Sequence, residues 1–151
     1  MIKKNFILLF LFIFLTNCGY TPIYSSKENN RLNISVENYE GDNDINFKII
    51  SKLRIHKNIN SKEFKINIKT DYKKTDLSKD ITGKVQDYEL TISSTFEVNY
   101  AGDLRNFAIK ETFTMKNLED DFEERNYEKT IKENLANSIA QKLLIQLLKI
   151  E

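Results

Sequence analysis

The chain has 151 residues, 40% of them hydrophobic and 30% charged, with a formal net charge of +1 at neutral pH. That length and balance fit one globular domain and exclude both a disordered tail and a strongly basic nucleic-acid binder. One cysteine, Cys18, excludes an internal disulfide, and one histidine, His56, excludes a histidine-rich metal site.

At the N-terminus, Lys3 and Lys4 precede an unbroken apolar run from Phe6 to Leu15. As a helix that run reaches about 15 Å, and a spanning helix needs ~20 residues. Length and flanks therefore point to a secretory signal peptide rather than a transmembrane anchor. The following Leu15-Thr16-Asn17-Cys18 resembles a bacterial lipobox, with Asn17 where a small residue is usual. The resemblance implies cleavage between Asn17 and Cys18. It further implies a diacylglycerol on the Cys18 sulfur and an acyl chain such as palmitate on its amino group. That covalent lipid is the one non-protein group expected; no cofactor, no metal and no catalytic residue is. Gly19 replaces the aspartate that would signal inner-membrane retention, so the expected address is the outer membrane, periplasmic side. Residues 1–17 are then the signal peptide, 18–30 a lipidated tether, and 31–151 the domain. Losing Lys3 and Lys4 tips the balance of 23 basic and 22 acidic residues to a slight acidic excess.

Leu32, Ile34 and Val36 alternate with polar residues, as in a half-buried strand. Gly41 breaks that pattern, and Asp42 or Asp44 can cap a helix. Ile45, Ile49, Ile50 and Leu53 predict that helix over about 44–56, with His56 in its last turn. Phe64, Ile66, Ile68 and Tyr72 predict a second strand. Residues 73–84 read as a polar loop carrying Lys73, Lys74, Lys79 and Lys84, either a solvated connection or a contact for phosphate or a partner loop.

The third strand alternates most clearly, with Tyr88, Leu90, Ile92, Phe96, Val98 and Tyr100 on one face. Phe107, Ile109, Phe113 and Met115 mark a fourth. Between them Gly102-Asp103 suits a two-residue hairpin turn. That turn would set Val98 opposite Phe107 and Ser94 opposite Glu111. The Ser94–Glu111 step is then a break in an apolar face, left to water or forming a notch in a partner groove. The acidic run Glu119–Glu124 precedes a helix predicted over about 126–150, and its charge suits that helix's dipole better than glycoside chemistry. Ile131, Leu135, Ile139 and Leu143 form the core stripe; Ile145 points away from it and is a candidate partner contact.

The order strand, helix, three strands, helix predicts an α+β two-layer sandwich, a four-stranded mixed sheet packed with two helices. Two stretches are similar to the LPS-assembly lipoprotein family of the LptE (RlpB) type: Cys18-Gly19-Tyr20-Thr21-Pro22-Ile23-Tyr24, and the closing Ala140-Gln141-Lys142-Leu143-Leu144-Ile145-Gln146-Leu147-Leu148. The resemblance implies a non-enzymatic role. Such a protein plugs and assists assembly of an LptD-type outer-membrane β-barrel and takes part in lipopolysaccharide transport to the cell surface. Lys73, Lys74, Lys79, Lys84 and Arg105 become candidate lipopolysaccharide contacts because they fall in or beside predicted loops. The rival readings are another lipid-anchored periplasmic adaptor of an envelope complex, and a lipid-anchored enzyme. The enzyme is disfavoured because no nucleophile–base or metal-ligand pattern is present.

Overall fold

The computed structural model describes residues 32–55 and 61–150. Six elements appear in the expected order: β1 (Asn33–Gly41), α1 (Asn43–Leu53), β2 (Glu63–Lys79), β3 (Val85–Tyr100), β4 (Asp103–Lys116) and α2 (Asp121–Leu148). The strands form one sheet in the order β1-β2-β3-β4. β1 runs parallel to β2, and the other neighbours are antiparallel. The helices pack on each other and on one face of the sheet, which makes the predicted two-layer α+β sandwich. Signal peptide, tether, Cys18 and His56 lie outside the described residues.

Alternation builds the core. Phe64, Ile66 and Ile68 of β2 and Leu90, Ile92, Phe96 and Val98 of β3 are buried on the helix side. Ile45, Ile49, Ile50 and Leu53 of α1 meet them, as do Ile131, Leu135, Ile139 and Leu143 of α2. The other sheet face is open and polar. There Asn38 donates to Asn67, and Asn67 to Glu97, both at 3.2 Å. β1 turns into α1 at Gly41, whose φ is +92°. A side chain there would put its Cβ 1.8 Å from the Thr70 carbonyl oxygen, so only glycine fits. Asp42 then caps α1, its Oδ1 accepting from the Ile45 N–H at 3.0 Å.

Four local expectations are corrected. The β3–β4 turn is Ala101-Gly102, not Gly102-Asp103, with φ of 55° and 94°. Positive φ at both central residues matches the twist of paired strands, whereas aspartate is kept as the first residue of β4. Pairing therefore shifts by two: Phe96 faces Phe107, Ser94 faces Ile109, and Glu111 faces Ile92. An even shift keeps every side chain on its predicted face. Second, residues 73–79 are strand, not loop. β3 pairs with β2 as far as Lys79, so the backbone ladder is satisfied despite the polar composition. Third, the acidic run is part of α2. Asp120 is its N-cap, accepting from the N–H groups of Phe122 and Glu123, and Asp121, Glu123 and Glu124 form its first turn. Fourth, α1 ends at Leu53 rather than near residue 56.

Candidate functional site

The extended β2–β3 hairpin is fastened to α2 by a partly buried ionic cluster. Tyr72 and Lys74 lie two apart on the helix side of β2. The Tyr72 hydroxyl donates to Glu128 at 2.8 Å. Lys74 Nζ lies 2.9 Å from Glu124 and 3.0 Å from Glu128. The same ammonium sits 4.1 Å from the Tyr88 ring centre, and Lys132 sits 3.8 Å from that of Tyr72. Lys74 holds Glu124 below the usual carboxylate range against a smaller cost of desolvation. Burial opposes ionisation of Glu128, but hydrogen bonds from Tyr72 and Lys74, with the charges of Lys74 and Lys132, overcome it. Burial would likewise lower Lys74, yet its two carboxylates hold it above the ordinary lysine value. Burial and then the Glu128 hydrogen bond raise the Tyr72 phenol.

The five candidate cations do not converge. Lys74 is committed to this cluster. Lys73, its neighbour, is exposed on the open face. Lys79 pairs with Asp76 at 3.1 Å. Lys84 is exposed in the 80–84 turn, where its N–H binds the Asp80 carboxylate at 2.9 Å. The Thr82 hydroxyl binds the same carboxylate at 2.6 Å and holds Asp80 below its ordinary value. Arg105 is exposed on β4, the far edge.

The proposed notch dissolves with the register. Ser94 is 1% exposed and shares a 2.9 Å hydrogen bond with Thr70 of β2, so both hydroxyls are satisfied inside the core. Glu111 forms an ion pair with Lys142 of α2. Ile145 is surface, 40% exposed, and lines a groove between α2 and β4 with Ala108, Ile109, Lys110, Lys142 and Gln146.

Two surfaces escaped the sequence reading. Phe47 of α1 is 67% exposed beside a groove that also meets Arg125, Lys129 and Lys132 of α2. It falls just off the α1 apolar stripe, which is the signal that could have found it. The other is the edge of β4, where Phe113 remains 40% exposed although it points toward the helices. No helix of the described residues is long and apolar enough to cross a membrane.

No protein-family model and no curated protein matches the sequence. Solved structures do match. The crystal structure of the rare lipoprotein B from Shewanella oneidensis aligns with a TM-score of 0.61 at 14% identity, covering 77% of this chain and 96% of that one. The chain has the rare lipoprotein B fold. A candidate lipoprotein from Caulobacter crescentus aligns at 0.58 with 13% identity, over 82% of this chain and 93% of its own. The solution structure of an uncharacterized lipoprotein B from Nitrosomonas europaea gives 0.56 with 17% identity, over 77% and 83%. The likeness to rare lipoprotein B therefore spans strands and helices together.

Proposed function

We propose that this chain is an outer-membrane lipoprotein of the LptE type. It is anchored through Cys18 on the periplasmic side. There it plugs and helps assemble an LptD-type β-barrel and takes part in lipopolysaccharide transport. The observation that carries the reading is the shared fold over 96% of the Shewanella lipoprotein. It is supported by a second feature, the signal-like leader ending in Leu15-Thr16-Asn17-Cys18. The role is binding and assembly, not catalysis. Of the candidate lipopolysaccharide contacts, Lys73, Lys79, Lys84 and Arg105 keep exposed side chains, Lys79 beside Asp76, whereas Lys74 serves the fold.

The test is recovery of the full-length protein from detergent-solubilised envelopes through a C-terminal tag. The expected result is a near-stoichiometric large β-barrel protein in the eluate and a lipid-modified Cys18 in the N-terminal peptide. Cys18→Ser should move the chain to the soluble periplasmic fraction. Recovery of the lipidated protein with no barrel overturns the assembly role. An unmodified Cys18 overturns the anchor.

A further inference from the structure

We propose that the free edge of β4 accepts an extended, acidic segment of the barrel partner as a fifth strand of the sheet. This rests on the reading above and names the surface through which the partner is held.

Among the described residues β4 pairs only with β3, and that pairing runs from Asp103 to Lys116 without a register shift. The other side of a 14-residue strand therefore presents a continuous row of N–H and C=O groups. Such an edge is a template for another strand, and folded proteins usually blunt it. The opposite edge is blunted. β1 has 9 residues, and its register breaks between Val36 and Asn38. Its exposed Glu37 and Glu40 place charge along that edge and pair at the surface with Lys65 and Lys69 of β2 at 3.2 and 3.9 Å. β4 contains neither a bulge nor a proline.

Beside this edge runs the groove lined by Ile109, Lys142 and Ile145. An added strand alternates its side chains between the two faces. Those on the helix side would enter the groove, against Ile109 and Ile145. Those on the other side would extend the polar open face past Lys110. The charges select the occupant. Arg105, Lys110 and Lys116 stand on the strand with Asp103 and Glu111, and Glu111 is already paired with Lys142. The edge is left net positive. A second copy of the same edge would add more positive charge, whereas an acidic segment with apolar residues at every other position complements both groove and charge.

The test uses the full-length, lipidated protein in its own envelope. Leu104→Cys, Ala108→Cys and Thr112→Cys lie four apart on the open face, clear of the core. Each is crosslinked to the barrel and mapped by peptide mass spectrometry. Strand addition predicts a ladder: each four-residue step along β4 moves the linked position four residues along one acidic barrel segment. Glu37→Cys on β1 should give no such ladder. Arg105→Glu with Lys110→Glu should cut barrel recovery at least tenfold at an unchanged melting curve. If that pair fails to fold, the cysteine ladder decides alone. A recovered barrel with no ladder on β4 overturns this inference but leaves the proposed function standing. So does a ladder between two copies, or one to residues 19–31 of the same chain. If no barrel is recovered, both fall.

Discussion

Lys73 and Lys74 leave one strand on opposite faces, and that parity decides what each can do. Lys73 is open to solvent and any ligand. Lys74 is enclosed by Glu124, Glu128 and the Tyr88 ring. Removing it leaves two partly buried carboxylates short of a partner. Lys74→Met should therefore cost about 2 kcal/mol in urea denaturation at neutral pH, the usual scale for a charged hydrogen-bonded group. The same cluster sets an acid limit. Glu124 and Glu128 have folded pKa values below those of the unfolded chain, which lie at about 4.3. Their contribution is complete above that pH and drains away as pH falls through the lower folded values. A stability–pH profile should drop on that acid side, and Lys74→Met should flatten the drop. An equally steep acid limb in the variant would refute this account of the cluster. Nothing in the sequence announces the cluster, because Lys74 meets partners 50 and 54 residues away. A run of lysines looks like a solvated loop until a long-range helix arrives to cover alternate members.

At the scale of elements, the β3–β4 turn is the sharpest lesson. Ala101 sits at φ 55°, which glycine or asparagine tolerates better than alanine. Ala101→Asn should stabilise the protein by roughly 0.5–1 kcal/mol, and Gly102→Ala should destabilise it by about 1–2 kcal/mol. Thermal midpoints of the two variants check this. Had the turn been Gly102-Asp103, Ala101 would be a strand residue and asparagine there would be unfavourable. The faces of β3 and β4 were readable because side-chain direction repeats every two residues. The partners across the hairpin were not, because alternation is blind to a two-residue slip. Ser94 shows the cost of that blindness. It looked like half of a notch with Glu111, whereas its hydroxyl is matched by Thr70, which sits between Ile68 and Tyr72 on the helix side of β2. The acidic run before α2 was readable as helix-stabilising charge, but not as the cap and first turn themselves, since Asp120 differs from its acidic neighbours only by its backbone geometry.

For the whole molecule, the order of elements and the core were legible, since periodicity reports burial directly. Ile45, Ile66, Ile92 and Ile139 all fall where their spacing puts them. The surfaces that would meet a partner were harder to read. Ile145 stood out because it leaves a strong helical stripe. The β4 edge left no mark, because an edge is defined by the absence of a neighbour, which only the sheet order reveals.

One further consequence follows from the sheet order and concerns time rather than space. β2, β3 and β4 close on each other through two short turns, so their contacts are local and cheap to form. β1 must find β2 in parallel register across the whole of α1, and its register is interrupted. Kinetic analysis should therefore show the meander structured in the folding transition state, with substitutions such as Ile92→Val slowing folding, whereas Ile34→Val should chiefly speed unfolding. The opposite pattern would reverse the order. On this route the protein assembles from its C-terminal two-thirds backward. The strand made first during synthesis is then the last to be secured.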